Sequence, residues 1–183
     1  MSEAEESYPT DDQLIERAAA GDMPAFACLV RRHQAHVVGF AARMLGGDVD
    51  AGADVAQETF LKLWENRDRY VRHGKMVSYL LRIAHNLCVS RLRSPGEKFL
   101  PLETAETLPA HDAPLELPLM VRRALLALPV EQRVVFLLHE YEGLSYTEIA
   151  DCLYVAPGTV ASRKHAAVMA LRKSLAAYLG DGK

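Results

Sequence analysis

"LSYTEIADCLYVAPGTVASRKHAAVMALRKSL", from Leu144 to Leu175, decides how the C-terminal half folds. Ser145 and Glu148 form an S-x-x-E capping box that starts a short helix. Ile149, Ala150 and Leu153 recur at helical spacing on its inner side. "YVAP" makes a turn, and Pro157 stands where a first-turn proline pre-sets the next helix. On that second helix Val160, Ala167, Val168, Leu171 and Leu175 form a core side. Thr159, Ser162, Arg163, Ala166, Ala170 and Lys173 lie opposite. The layout is helix-turn-helix, in which the N-terminal part of the second helix enters a major groove. Small residues permit close approach there, while hydroxyls and arginine bond phosphates or base edges.

Upstream, the pattern predicts a helix ending near Leu128 and another from Pro129 to Glu140. Before these lies "SPGEKFLPLETAETLPAHDAPLELP" (94–118), which holds five of the nine prolines. It is too broken for a long helix and too long for an ordinary loop, so it reads as a linker between domains. Four further helices precede it. Asp11 or Asp12 caps the first, which stops at Gly21, and Asp22 caps the second with Pro24 in its opening turn. Phe26, Leu29, Val30, Val37, Phe40, Met44 and Leu45 give the second helix its apolar period, and Gly46-Gly47 ends it. A third helix runs from about Asp50 to Asn66 and a fourth from about Lys75 to Arg93. The expected fold is all-α: two small helical domains, 11–94 and 115–180, joined by a Pro-rich linker at 95–114.

No run approaches the roughly 18 uninterrupted apolar residues of a membrane span. The opening "MSEAEESYPT" lacks the basic start and apolar stretch of a signal peptide. Three scattered cysteines, Cys28, Cys88 and Cys152, argue for a reducing compartment without a disulfide framework. A cytoplasmic location without membrane insertion is expected. Net charge is −3, yet its distribution is uneven. Residues 1–30 carry seven acids against one Arg, residues 67–98 eight Lys/Arg against two acids, and residues 157–183 five against one. Two separate basic blocks on an acidic chain suggest two contacts with one polyanion.

The third and fourth helices have unlike outer faces. On the third, Ala56, Thr59, Phe60 and Leu63 point inward. Asp54, Gln57, Glu58 and Glu65 cluster opposite, with Leu61 among them and Trp64 at the edge, a pattern that suits a protein contact with an apolar centre and polar rim. On the fourth, Leu80, Ile83, Ala84, Leu87 and Cys88 are expected to face the core. Ser78, Arg82, His85, Asn86, Val89 and Arg93 lie on the other side, cationic, amide-bearing and free of carboxylates. Asn86 offers a donor and an acceptor to a base edge. The preceding "RDRYVRHGKMVSY" adds Arg72 and Lys75, a flexible His73-Gly74 turn, and Tyr70 and Tyr79 as stacking surfaces; Tyr79 fits core packing equally well. Such a face is built to lie against something negative.

With these motifs in order, the chain resembles bacterial RNA polymerase sigma factors, specifically the extracytoplasmic-function (ECF) group of the sigma-70 family. The resemblance runs from Asp11 to Leu175 and rests on "DVAQETFLKLW" (Asp54 to Trp64), "YLLRIAHNLCVSRLR" (Tyr79 to Arg93), "LLALPVEQRVVFLLHEYEGLSYTEIA" and "GTVASR" (Gly158 to Arg163). It implies reversible association with core RNA polymerase, through the β′ clamp helices and the β subunit, and promoter-specific initiation. Asp54, Gln57, Glu58, Leu61 and Trp64 would then dock the polymerase. Tyr70, Arg72, Lys75, Arg82, His85, Asn86 and Arg93 would recognise and melt the −10 element. Thr159, Ser162, Arg163, Lys164, His165 and Lys173 would contact the −35 element. An anti-sigma factor is a further partner the resemblance admits.

Two departures stand out. Ser90 and Tyr79 replace the Asp and Trp frequent in the family, and Ala161 and Ala166 stand where relatives often carry Arg on the recognition helix. Ala166 is central on that face, so an Arg-to-guanine contact is unavailable there. His33 and His36 lie at i, i+3 near Cys28 but in no dense ligand cluster, so no metal and no cofactor are expected. Without a hydrolase elbow, P-loop or dinucleotide fingerprint, no catalytic activity is expected either. The competing readings are a helix-turn-helix regulator with a helical N-terminal sensor domain, and an interaction module that never touches DNA.

Overall fold

The computed structural model describes residues 8–70, 74–93 and 118–180. They form eight α-helices and one 3-10 turn, and no strand occurs among them. In the N-terminal part these are α1 (Asp11–Ala19), α2 (Met23–Met44), α3 (Val49–Glu65), a turn at Arg67–Arg69 and α4 (Met76–Arg93). In the C-terminal part they are α5 (Leu119–Leu126), α6 (Val130–Glu140), α7 (Tyr146–Leu153) and α8 (Pro157–Gly180). The all-helical, two-domain architecture expected from periodicity is observed.

Local chemistry sets the boundaries. Thr10, rather than Asp11 or Asp12, caps α1: its hydroxyl accepts from the Gln13 N–H while the Gln13 side chain accepts from the Thr10 N–H. The two aspartates instead occupy the first turn, favoured by the helix dipole. Asp22 caps α2 as expected, and Asp48 caps α3. Gly46 and Gly47 follow α2 at φ +81° and +88°, conformations that L side chains rarely adopt. Ser145 and Glu148 make the reciprocal capping box on α7. The turn after α7 is made by Tyr154 in the left-handed region, at φ 53°.

The N-terminal core lies where α2, α3 and α4 pack, with Phe40, Met44, Val55, Leu63, Leu80, Leu81 and Cys88 buried. The stripe on α4 is turned from the expected one: Leu81 and Met76 are fully buried, while Ile83 and Leu87 are only half-buried. Gly52 lets α2 and α3 touch, since a Cβ there would lie 2.9 Å from the Val38 oxygen and the Ala42 nitrogen. In the C-terminal part Leu125, Val135, Leu137, Leu138, Ile149, Val160 and Ala167 are buried. The two cores join into a single cluster.

Polar contacts join them as well. Arg133 of α6 is buried, and its guanidinium donates to the Met44 carbonyl at 2.7 Å, the Leu126 carbonyl at 2.8 Å and the Leu128 carbonyl at 3.2 Å. Met44 ends α2 and Leu126 ends α5, so one cation satisfies two helix C-termini from different domains. Glu142 is nearly buried and takes His36 at 3.2 Å and Arg43 at 3.7 Å, both from α2. The Arg43 guanidinium also lies 4.4 Å from the centre of the Tyr141 ring.

Candidate docking and nucleic-acid interfaces

The outer face of α3 borders an apolar groove shared with α2, of about 580 Å³. Phe26, Val30 and Val38 from α2 and Ala56, Phe60, Leu61 and Trp64 from α3 line it, with Gln34 and Gln57 as polar points. Leu61 is half-exposed on its rim, as the sequence pattern required. Trp64 meets the Phe26 ring edge-on at 4.9 Å and carries the Arg67 guanidinium 4.1 Å from its own ring centre. The acidic edge is less free than the sequence suggested. Arg91 of α4 pairs with Glu58 and lies 4.0 Å from Asp54. Part of the expected acidic patch is therefore neutralised within the molecule.

The cationic face of α4 is engaged by the C-terminal domain. Lys75 Nζ bonds Asp151 of α7 at 3.0 Å. The Cys152 thiol donates to the Ser78 carbonyl at 3.4 Å; burial pushes that thiol's pKa up to about 11, so it stays protonated. Arg82 donates to the Tyr154 hydroxyl, and its guanidinium lies 5.0 Å from the Tyr79 ring centre and 5.2 Å from that of Tyr154. His85 is mostly desolvated, which holds its pKa below the usual value against the opposing pull of Glu131 on α6. Its Nδ1 is buried without a hydrogen-bond partner. Asn86 and Arg93 remain exposed.

Tyr70 departs from its expected place at the surface. It is buried, edge against Tyr79 at 5.1 Å, and desolvation with Asp12 and Asp11 nearby pushes its hydroxyl up to about 12. Its ring serves the core because the Arg67–Arg69 turn folds back on α1. Arg72 and the His73 half of the flexible turn lie outside the described residues; Gly74, at φ +65°, donates to Asp12 at 3.1 Å.

The outer face of α8 is open. Ser162, His165 and Lys173 are exposed, and Thr159, Arg163 and Ala166 are half-exposed. The Ser162 hydroxyl donates to the Thr159 carbonyl at 3.0 Å, which fixes its rotamer. Lys164 points elsewhere: it bonds Glu140 of α6 at 2.9 Å, and that carboxylate holds the ammonium pKa above its ordinary value.

Comparison with known proteins assigns both halves. The model of Sigma-70 region 2 matches residues 29–97, and that of Sigma-70 region 4 matches residues 119–171. The RNA polymerase sigma-H factor of Pseudomonas aeruginosa is 32% identical over 187 residues, covering 93% of this chain and 96% of that protein. The chain belongs to the sigma-70 family. The ECF RNA polymerase sigma factor SigW of Bacillus subtilis is 34% identical over 178 residues, or 88% of this chain and 94% of that protein, which places it in the ECF group. Among solved structures, the sigma factor RpoE of Bartonella quintana, bound to the anti-sigma factor NepR, matches with a TM-score of 0.66. Its identity is 25%, over 82% of this chain and 96% of that one.

As a sigma factor, the protein is a DNA-binding initiation factor whose region 2 spans most of α2 through α4 and whose region 4 spans α5 into α8. Three residues escaped the sequence reading: Arg133, Glu142 and Arg91. A signal existed for Arg133, which falls on the same helical stripe as Val134, Leu137 and Leu138. A lone cation on an apolar stripe is a candidate for burial with its hydrogen bonds satisfied by carbonyls. Among the described residues, no helix is long and apolar enough to cross a membrane.

Proposed function

We propose that this sigma factor divides its work among three surfaces. The groove between α2 and α3 docks core RNA polymerase, with Leu61 and Trp64 as apolar anchors and Gln57, Asp54 and Glu58 at the rim. The α4 face takes the single-stranded −10 element, with Asn86 and Arg82 at its centre, Arg93, Lys75 and His85 flanking, and Arg72 before it. The open face of α8 takes the −35 duplex through Arg163, Ser162, Thr159, His165 and Lys173. The working units are 11–94 and 115–180, with 95–114 as linker. The protein acts in the cytoplasm and supplies no catalysis of its own; bond formation belongs to the polymerase. An anti-sigma partner is part of this reading, in keeping with the RpoE–NepR complex.

One observation carries the division. An apolar groove is lined by residues of α2 and α3, whereas the cationic faces belong to α4 and α8, so protein docking and DNA contact draw on different side chains. Adding purified protein to core polymerase should yield a promoter-dependent transcript. Permanganate reactivity of unpaired thymines should vanish in the Arg82→Ala/Asn86→Ala variant while core binding persists. Loss of core binding in that variant, or thymine reactivity equal to wild type, would overturn the assignment.

A further inference from the structure

One carboxylate of α1 is not needed by its own helix. The start of α1 is capped by the reciprocal Thr10–Gln13 bonds, and Asp11 ties it to α2 through Arg32 at 2.6 Å and His33 at 2.8 Å. Asp12, the next residue, reaches instead to the approach of α4. Its Oδ2 accepts from the Gly74 N–H at 3.1 Å, and Gly74 stands at φ +65°, a left-handed backbone. The neighbouring Lys75 opens α4, its carbonyl accepting from the Tyr79 N–H at 3.0 Å. The other oxygen of Asp12, Oδ1, is shut off from solvent without a full hydrogen bond, and so is the Tyr70 hydroxyl. These two groups act on each other. Burial, joined by the charge and hydrogen bonding of Asp12, raises the Tyr70 pKa to about 12, while the Lys75 N–H pulls it down. One carboxylate thus faces Tyr70, which closes the Arg67–Arg69 turn, and Gly74, which precedes α4.

Both neighbours lead on to cations of the α4 face. Gly74 is joined to Lys75 by a peptide bond. The Tyr70 ring stands edge-on against Tyr79 at 5.1 Å, and Tyr79 carries the Arg82 guanidinium 5.0 Å from its ring centre. The geometry points to Asp12 as a positioning residue for the −10 strand: it places Lys75 through Gly74, and Arg82 through the Tyr70–Tyr79 pair. This rests on the assignment of α4 to that strand. An anion offers a phosphate no attraction, so the service of Asp12 to the strand is indirect. With Asp12 in place the aromatic pair and the start of α4 are ordered before DNA arrives. Without it, binding must supply that order, and the cost is subtracted from affinity.

The test uses holoenzyme made with full-length variants on a promoter that the wild type transcribes. Permanganate reactivity of unpaired thymines, titrated with holoenzyme, reads strand capture; gel filtration reads core binding, and gel shift reads the −35 duplex. Asp12→Ala should require about fivefold more holoenzyme for half-maximal reactivity, the worth of one hydrogen bond. Core binding and −35 binding should stay at wild type. Asp12→Asn should restore capture, because its amide oxygen still accepts from Gly74 and its amide N–H donates to the Tyr70 hydroxyl. Asp11→Ala controls for a loosened α1: it should lower the melting temperature yet capture the strand as wild type does. Tyr70→Phe leaves α1 untouched and should weaken capture by itself, adding little when combined with Asp12→Ala. Wild-type capture by Asp12→Ala overturns the inference, and a capture defect in Asp11→Ala equal to that of Asp12→Ala overturns it too. In either case, a defect in Arg82→Ala/Asn86→Ala leaves the strand assignment standing. Wild-type capture by Arg82→Ala/Asn86→Ala removes that assignment, and the inference with it.

Discussion

Two helices carry outer faces of nearly the same composition, and the folded chain treats them in opposite ways. The cationic face of α8 is open to solvent, and among the described residues only Lys164 is tied back, to Glu140. The cationic face of α4 is met by α7 through Lys75, Ser78 and Arg82 and by α6 beside His85. A helical period tells which residues turn away from their own domain's core. It does not tell what else the chain brings to that side. The difference arises from contacts that are distant in sequence: Met44 with Arg133, Gly46 with Leu126, Arg43 with Glu142.

The hardest way to break this asymmetry is to remove its latch. Arg133→Ala strips the donors from three carbonyls at two helix C-termini and leaves a void between the domains. Buried unsatisfied carbonyls cost about 1–3 kcal/mol each, so a loss of about 3 kcal/mol is expected. Urea denaturation should show a lower midpoint and a first transition that belongs to the C-terminal part. A single transition with an unshifted midpoint would show that Arg133 binds the domains less than its geometry suggests.

A smaller effect separates two residues that the sequence had grouped on α3. Glu58→Lys sets a cation against Arg91 and should cost about 1 kcal/mol on top of weakened polymerase binding. Leu61→Ala, half-exposed on the groove rim, should change stability by no more than about 0.5 kcal/mol and still reduce core binding. Thermal melts and gel filtration with core polymerase measure the two quantities. Equal stability losses would mean that the Arg91 pair contributes nothing.

These cases also mark how far the sequence could be read. Caps, turns and helix limits were legible almost to the residue, because Ser145, Asp22, Pro157 and the Gly46-Gly47 pair act on their own neighbours. Thr10 was missed only because two aspartates beside it are equally good cap formers. The outward set on α3 was legible too, since Phe60 and Leu63 define one side unambiguously. The α4 core was read slightly askew, because Ile83 and Leu87 mimic a core stripe beside the true one of Leu80, Leu81, Ala84 and Cys88. Tyr70 was misplaced because a tyrosine beside a basic segment looks the same whether its ring stacks on a base or on Tyr79. The closing of α7 over α4 was not legible at all. It depends on long-range contacts: the α6 stripe marks Arg133 for burial, but no local pattern names its partners or those of Glu142 and Tyr154.

Acidity should lower stability, in part through the covered face. Burial lowers the pKa of His85, despite Glu131, with Arg93 adding to the lowering. It also lowers that of His33 despite Asp11, with Arg32 and His36 adding to the lowering. In each case the folded form binds a proton less readily than the unfolded chain does. Stability is therefore full above about pH 6.5 and falls as the pH drops through the window below it. His85→Gln should flatten part of that fall, with urea midpoints at about pH 7.5 and pH 5.5 as the measurement. His33→Gln should flatten another part, by an amount independent of whether the domains are closed. A pH slope unchanged in His85→Gln would place that ring in solvent and remove it from the covered face.

The smallest expected effect lies on the open face, between neighbours. Arg163 and Lys164 are adjacent and both were assigned to the −35 element, yet the fold gives them different company. Arg163 has no ion-pair partner among the described residues, whereas Lys164 is held by Glu140 at 2.9 Å. A carboxylate already on the ammonium cancels most of the attraction it could offer a phosphate. Arg163→Ala should thus lower holoenzyme affinity for −35 duplex and, for a phosphate contact, reduce the salt slope by about one. Lys164→Ala should leave that slope nearly unchanged, and its loss in stability should stay within about 0.5 kcal/mol, as for an exposed pair. Gel-shift titrations across a range of salt decide it. Equal slopes for the two variants would mean that DNA draws Lys164 away from Glu140, and that the α8 face is wider in the complex than in the free protein.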